Sequence, residues 1–298
     1  MTSGNEGLRI DRLAMNFGGV FVFEDVTIDI PPGKVTACIG PNGAGKTTII
    51  NLVCGVYTPK AGDIFVGGRK LTGVKPHDTV RHGVCRSFQD VRIFPYLTAL
   101  ENLLVAMPGQ AGESLTGLFT SAARSQERAN REKAHELLGA VALKGVADRP
   151  AGELPFGQQK LISLLRAVAT EAKVLLLDEP AAGVENDLVP RVIDLIRGLV
   201  KAGGRATFLV EHNVDLVREV ADQVCVLQGG HISPALRDAA LVNKRLPGDG
   251  GVIQQLLLDH LAQELVLGQV MAEQFAVGQF VDLAHPVHHD HLLEAFVG

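Results

Sequence analysis

The sequence predicts an α/β fold with a mostly parallel sheet, because short apolar runs alternate with helical patterns along most of the chain. The runs are rich in β-branched residues and show no polar alternation, which is typical of strands buried on both faces. Five such strands are predicted, at residues 35–40, 84–88, 174–178, 206–210 and 223–227. We expect an antiparallel β part before the first of them.

A long stretch between the second and third strands, about residues 97–169, is mostly helical in pattern. Thr98 and Glu101 form the Thr-x-x-Glu pattern of a capping box, which marks the start of a helix. Residues 125–143 have the charge and apolar spacing of an amphipathic helix. The stretch is therefore predicted to be a helical subdomain, inserted into an α/β domain that spans residues 1–231.

Composition excludes several classes of protein. The 298 residues contain no run near the roughly 18 to 20 apolar residues that cross a bilayer, and the first residues lack the basic and apolar parts of a signal peptide. The four cysteines are scattered, without paired spacing for a metal or a disulfide. Residues 232–298 carry 3 basic and 8 acidic residues, so the rest of the chain, with 25 of each, is neutral. A neutral body lacks the clustered positive charge that binding to nucleic acid requires. From the scattered cysteines and the first residues, we expect a reduced cytoplasmic protein.

A phosphate-binding loop is the strongest chemical signal. Residues 40–47 read Gly-Pro-Asn-Gly-Ala-Gly-Lys-Thr, between a predicted strand and a predicted helix. Small residues let backbone N–H groups curl around a β-phosphate, while the Lys46 ammonium adds positive charge and the Thr47 hydroxyl ligates Mg²⁺. The predicted nucleotide-binding residues of this loop are Gly40, Pro41, Asn42, Gly43, Ala44, Gly45, Lys46, Thr47 and Thr48.

Polar side chains also follow three other predicted strands. The run "VLLLDEP" ends in Asp178, which can hold Mg²⁺ through water, and Glu179, which can act as general base toward an attacking water. Gln89 and His212 each come directly after a buried strand. Ligands of open parallel sheets bind outside the carboxyl ends of the strands, so we expect these four side chains to face the ligand of Lys46.

In this order, the motifs resemble the nucleotide-binding subunit of an ATP-binding-cassette transporter. The resemblance covers about residues 7–231 and rests on Gly40–Thr47, Gln89, "LPFGQQ" from residue 154, "LLLDEP" from residue 175, and His212. The segments "RSFQDVRIFPYLTALENLLVA", "LPFGQQKL" and "LLLDEPAAGV" more narrowly resemble the subunits that serve branched-chain amino-acid importers. Urea and short-amide importers are close relatives, and they stay open as alternatives.

The resemblance implies a fold, ligands and partners. It implies a P-loop NTPase core that binds ATP and Mg²⁺, with Phe17 stacked on the adenine and with Thr47, Gln89 and Asp178 around the metal. Catalysis would involve Glu179, His212 and Gln89. Two cassettes would close head to tail over two ATP molecules, each site combining one chain's phosphate loop with the other chain's signature.

The implied partners lie at the cytoplasmic face of the inner membrane, where the protein would be peripheral. The segment Asp90–Leu104 would form part of the groove that receives a permease subunit, and a solute-binding protein would act indirectly. In this chain the signature, which contacts the partner's nucleotide, is Pro155, Phe156, Gly157 and Gln158.

Two positions depart from the family pattern. The signature usually has a serine where this chain has Pro155, which offers neither a hydroxyl nor an N–H. Losing a hydrogen bond to a charged group costs about 1.5 to 3 kcal/mol, although the N–H groups of the following helix remain. An asymmetric heterodimer with a serine-containing cassette is therefore predicted. In the loop "AAGVEN", Glu185 stands where the family has Asp or Asn.

The tail, residues 232–298, does not fit the family pattern. Residues 252–275 are helix-like and could cover a partner or pack on the cassette, and an out-of-frame translation also accounts for the tail. The histidine-rich run at 285–291 favours a solvated terminus over a metal site.

Two other classes of function are also compatible with a phosphate-binding loop. A non-transport cassette that regulates a soluble complex stays open, and recruitment by a permease would separate it from a transporter. A generic P-loop kinase or GTPase leaves the signature, Gln89 and His212 without a role.

Overall fold

Two β-sheets organise residues 7–87, 91–109 and 121–232, which are the residues that the computed structural model describes. Gln89 and the tail beyond residue 232, with the helix expected at 252–275, lie outside these residues. Within the described ranges, no helix has the length and apolar character needed to span a membrane.

The smaller sheet is antiparallel and comes from the N-terminal quarter of the chain. Its spatial order is β2-β1-β4-β5. Leu8 and Ile10 are fully buried while Arg9 between them is exposed, so one face of this sheet packs inward. The strands are β1 (Leu8–Phe17), β2 (Val20–Ile30), β4 (Ala61–Val66) and β5 (Arg69–Lys70).

The larger sheet has the order β10-β9-β3-β8-β7-β6, and only β10 runs antiparallel to its neighbour. The mostly parallel α/β fold predicted from the sequence is therefore confirmed. The strands are β3 (Lys34–Ile39), β6 (Val84–Arg86), β7 (Val174–Asp178), β8 (Ala206–Val210), β9 (Gln223–Gln228) and β10 (His231–Ile232). The strand predicted at residues 84–88 was too long, because β6 ends at Arg86. After it, the Ser87 N–H still donates to the Leu176 carbonyl at 2.8 Å.

Seven α-helices connect and cover the strands of the described part. They are α1 (Lys46–Val53), α2 (Pro76–Thr79), α3 (Ala99–Leu104), α4 (Ser121–Ala140), α5 (Phe156–Ala169), α6 (Val189–Gly203) and α7 (Val214–Val220). The capping box predicted at α3 is present: the Glu101 N–H donates to Thr98 Oγ1 at 3.1 Å, and the Thr98 N–H donates to Glu101 Oε2 at 2.8 Å.

The parallel sheet is buried on both faces, which explains its unbroken apolar runs. Leu175 and Leu177 of β7 belong to a core shared with α5 and α6. Leu176, between them, belongs to a second core with α1 and the antiparallel sheet, where Phe23 is fully buried. With both faces closed, polar groups of these strands can reach a ligand only at the strand ends.

The central strands end level with one another. Val210 of β8 pairs with Cys38 of β3 on one side and with Asp178 of β7 on the other. The loops that leave these three strands therefore begin at the same edge of the sheet, and they carry the predicted site.

Candidate nucleotide-binding and hydrolysis site

The phosphate-binding loop lies between β3 and α1, as predicted, and it folds around the Lys46 side chain. Lys46 Nζ donates to the carbonyl oxygens of Gly40 and Pro41, both at 2.7 Å, and the side chain is buried. Within the loop, the Ala44 N–H donates to the Pro41 carbonyl at 3.2 Å. Asn42, Gly43 and Thr47 are exposed, while Ala44 and Thr48 are half-buried. The loop thus holds an ammonium group below exposed backbone, which suits the binding of an anion.

Gly45 is required by the conformation of this loop. It has φ 101°, in the left-handed region that favours glycine, and it precedes the first turn of α1. A Cβ at this position would lie 2.7 Å from Val22 Cγ1 and 3.0 Å from the Phe23 ring. The loop therefore packs against β2 so closely that any side chain at residue 45 would displace it.

Asp178, at the end of β7, is almost fully buried and forms an ion pair with Arg86. Arg86 NH2 lies 2.7 Å from Asp178 Oδ2, and Arg86 NH1 donates to Asn51 Oδ1 of α1 at 2.6 Å. The side chains of Arg86 and Asp178 are 15% and 1% exposed. Asp178 Oδ1 has no hydrogen-bond partner within the described part of the chain. This buried oxygen can accept one more donor, such as a water bound to a metal ion.

The Cys54 thiol, which lies near this ion pair, is not a nucleophile near neutral pH. Burial raises the pKa of Cys54 to about 11, although the positive charge of Arg86 acts in the opposite direction. Burial also raises the pKa of Cys85. Both thiols therefore remain protonated near neutral pH, and they do not act as thiolates.

Glu179 and His212 meet across two loops. His212 Nε2 lies 3.0 Å from Glu179 Oε1, and the two side chains are 39% and 20% exposed. Glu179 has φ 47°, a strained conformation for a residue with a side chain, and its N–H donates to the Val210 carbonyl at 2.9 Å. The structure thus brings together a partly exposed carboxylate and an imidazole at the sheet edge where Lys46 lies.

A neighbouring carboxylate, Glu211, is buried between the loops that carry this pair. Its Oε1 accepts the Ala181 N–H at 3.0 Å, and its Oε2 accepts the N–H groups of His212 at 2.9 Å and Asn213 at 3.0 Å. Sequence reasoning missed Glu211, since nothing in "FLVEHNVDL" separates this acid from a solvated one. Its position next to the last residue of a buried strand was the available signal.

The predicted signature segment begins α5. Pro155 is the N-cap residue of the helix, Phe156 is half exposed, and Gln158 Oε1 is buried without a hydrogen-bond partner in the described structure. A Cβ on Gly157 would collide with the Glu185 carboxylate and would lie 2.7 Å from Leu188 Cδ1. A side chain at residue 157 would therefore require the ends of the Glu185 and Leu188 side chains to move, and the Glu185 carboxylate packs against Gly157.

Phe17, predicted to stack on adenine, is 40% exposed at the end of β1. Its ring packs edge-on against Tyr57, with ring centroids 5.0 Å apart and an interplanar angle of 74°. Tyr57 was missed by the sequence analysis. Arg86 was missed as well, although a lone arginine in a buried strand signals a charge that needs a partner.

The segment after Gln89 is fixed to α3. Asn102 is fully buried, and its amide accepts the Phe94 N–H at 2.8 Å and donates to the Phe94 carbonyl at 3.0 Å and the Thr98 carbonyl at 3.0 Å. Tyr96, within the segment that Asn102 holds, is 95% exposed. The described part of the predicted permease groove therefore consists of a loop held against α3, with an aromatic side chain in solvent, and of α3 itself.

Comparison with known proteins agrees with this arrangement. The sequence profile described as ABC transporter matches residues 23–182. The chain is 39% identical, over 225 residues, to the high-affinity branched-chain amino acid transport ATP-binding protein BraF of Pseudomonas aeruginosa, covering 75% of this chain and 88% of that protein. It is 36% identical, over 228 residues, to the high-affinity branched-chain amino acid transport ATP-binding protein LivG of Escherichia coli K12, with the same coverage of both chains.

Solved structures that are similar to this chain are also ATP-binding cassettes of ABC transporters. An ATP-binding cassette of an ABC transporter in its ADP conformation matches with a TM-score of 0.68 at 30% identity, covering 85% of this chain and 98% of that chain. A nucleotide-free ATP-binding cassette from an ABC transporter matches with a TM-score of 0.65 at 32% identity, covering 80% and 94%.

The Arg86–Asp178 pair leads to a stability prediction. Replacing Arg86 with methionine leaves the Asp178 carboxylate buried without its counter-ion, so we expect the free energy of unfolding to fall by about 3 to 5 kcal/mol. Urea unfolding in magnesium-free buffer measures this change. Arg218→Met is the matched control, because Arg218 pairs with Asp215 on the exposed surface. A loss for Arg86→Met no larger than that of the control would contradict the prediction.

Proposed function

The chain belongs to the ATP-binding subunits of the ABC transporter family, and from this premise we propose that it hydrolyses ATP to power the import of a branched-chain or related amino acid. The names of its relatives BraF and LivG support this class of solute. The observation that carries the proposed chemistry is the contact of 3.0 Å between Glu179 and His212, at the same sheet edge as Lys46.

The residues at this edge are suited to bind a nucleoside triphosphate. The backbone N–H groups of residues 40–48 and the Lys46 ammonium would hold the phosphates, and Phe17 would stack on the adenine. Thr47, Asp178 and Gln89 would hold Mg²⁺, and the buried Asp178 Oδ1 without a hydrogen-bond partner in the described structure fits this role. When bound, the metal offsets the negative charge of the phosphates.

Glu179 and His212 have separate parts in the proposed hydrolysis. The Glu179 carboxylate accepts a proton from the attacking water, whose oxygen bonds to the γ-phosphorus while the bond to the β–γ bridging oxygen breaks, giving ADP and phosphate. His212 Nε2 lies 3.0 Å from Glu179 Oε1, and in the tautomer with the proton on Nε2 the imidazole would donate to the carboxylate and orient it. In the bound state the imidazole would also contact the γ-phosphate. General-base catalysis of this kind contributes about 10²- to 10⁴-fold in rate.

A second cassette completes each site in the proposed cycle. Two cassettes close head to tail around ATP, and hydrolysis lets them separate. Pro155 has no hydroxyl that could donate a hydrogen bond to the partner's nucleotide. The Glu185 carboxylate packs against Gly157, in the first turn of the same helix. The missing hydroxyl weakens this chain's signature and leaves its own phosphate loop unchanged. The partner is therefore a different cassette with an intact serine.

The transporter context follows from the same family membership. Permease subunits would contact the segment around residues 90–104, with Gln89 linking this contact to the nucleotide. The protein would lie at the cytoplasmic face of the inner membrane, and a solute-binding protein would deliver the solute to the permease.

Glu179→Gln tests the proposed reaction. The amide cannot accept the proton of the attacking water, so we expect ATP hydrolysis to fall at least about 100-fold while ATP binding stays within twofold of the parent. Phosphate release and a fluorescent ATP analogue measure the two quantities, in the chain co-purified with its partner subunits. Lys46→Ala is the contrasting variant and loses ATP binding itself. Hydrolysis that persists in Glu179→Gln would exclude Glu179 as the base.

Pro155→Ser tests the proposed asymmetry. In a homodimer of this chain, every site depends on its own signature, so restoring the serine hydroxyl is expected to raise ATP hydrolysis about tenfold. Pro76→Ser, at the start of α2, controls for replacing a proline at a helix start. A parent homodimer that already hydrolyses ATP as fast as the complete complex would refute the asymmetry.

A further inference from the structure

Glu211 is a buried carboxylate that the proposed reaction does not use. It is 3% exposed, and it comes directly after the last residue of β8. Both of its oxygens accept backbone N–H groups, three in all, at 2.9 to 3.0 Å. A carboxylate at this depth is tolerated only when its oxygens are satisfied, so these bonds and its position depend on each other.

The three bonds join two separate loops. Oε1 accepts from Ala181, two residues after Glu179 in the loop that follows β7. Oε2 accepts from His212 and Asn213, which begin the loop that follows β8. One side chain therefore spans the gap between the backbone that carries the Glu179 carboxylate and the backbone that carries the His212 imidazole.

We propose that Glu211 is a positioning residue for ATP hydrolysis, which holds the His212 imidazole in register with the Glu179 carboxylate without touching the nucleotide. This role rests on the functions proposed for Glu179 and His212. Errors of about 1 Å in the placement of reacting groups can cost 10²-fold in rate, so a bond that fixes the distance between two loops affects turnover directly.

The backbone strain at Glu179 makes the bond between the Ala181 N–H and Glu211 important for the position of the Glu179 carboxylate. Glu179 has φ 47°, a strained backbone conformation that persists only where neighbouring contacts enforce it. The Glu179 N–H bond to Val210 and the Ala181 N–H bond to Glu211 both tie this short segment to β8 and its loop. Without Glu211, the segment keeps only one of these two ties.

The opposite end of the sheet offers a matched control. Asp222 precedes β9 and accepts the Val35 N–H at 2.9 Å and Lys34 Nζ at 2.8 Å. It performs the same kind of backbone attachment at the end of β3 that is remote from His212 and Glu179. A residue with a purely structural effect on the sheet would thus behave like Asp222.

Glu211→Gln and Glu211→Asp test the proposal in the full chain with its co-purified partner subunits. The glutamine keeps the size of the side chain, but its amide N–H₂ is a donor and cannot accept a backbone N–H. The shorter aspartate keeps the negative charge but does not reach both loops. We expect each variant to lower kcat about 10- to 100-fold while the Kd for a fluorescent ATP analogue stays within twofold. Asp222→Asn should leave kcat within twofold of the parent. The aspartate variant also keeps the test available if the glutamine variant does not fold.

A double-mutant cycle with His212→Ala separates positioning from a general structural effect. If Glu211 acts by placing His212, adding Glu211→Gln to His212→Ala lowers kcat by no more than a further twofold. Equal losses in both backgrounds, or an ATP affinity that falls as much as kcat, would overturn the positioning role. An unchanged kcat in Glu211→Gln with an active parent would sink this role alone, whereas a parent without ATP hydrolysis would sink the proposed function and this role with it.

Discussion

Three parallel strands that end at the same level hold the whole site together. Because Val210 of β8 pairs with both Cys38 of β3 and Asp178 of β7, the loops that leave these strands start from one edge. This register is fixed by packing on both faces of the sheet, where alternate residues such as Leu176 and Leu177 enter opposite cores. A shift of one residue would exchange the two faces, so the packing of the apolar interior fixes the position of the loops that carry the candidate site.

Three acids at this edge have different roles because their surroundings differ. Asp178 is buried beside the Arg86 guanidinium and keeps one oxygen without a partner in the described structure, which suits a metal-bound water. Glu211 is buried among backbone N–H groups and has no free oxygen, which suits a structural tie. Glu179 is partly exposed and lies 3.0 Å from His212 Nε2, which leaves it accessible to a water. The same functional group is thus suited to three different purposes at the ends of two adjacent strands.

The fold and the location of the site could be predicted from the sequence, because both depend on local patterns. Apolar runs gave four of the five parallel strands to within a residue at either end, and the glycine spacing around Lys46 identified the phosphate loop. The contacts that refine the site could not be predicted, since they join residues that are far apart in sequence. The Arg86 contact with Asn51 and the packing of Glu185 on Gly157 depend on distances between loops, which a single sequence does not encode in any periodic pattern.

In the proposed complex, one triphosphate lies between the Lys46 loop of this chain and the signature helix of a different cassette. A structure of the Glu179→Gln variant, purified with its partner subunits and saturated with ATP and Mg²⁺, measures this most directly. We expect density for the triphosphate within hydrogen-bond distance of Lys46 Nζ, with a serine of the partner cassette at its γ-phosphate. Nucleotide bound away from Lys46, or a γ-phosphate that meets only residues of this chain, would contradict it.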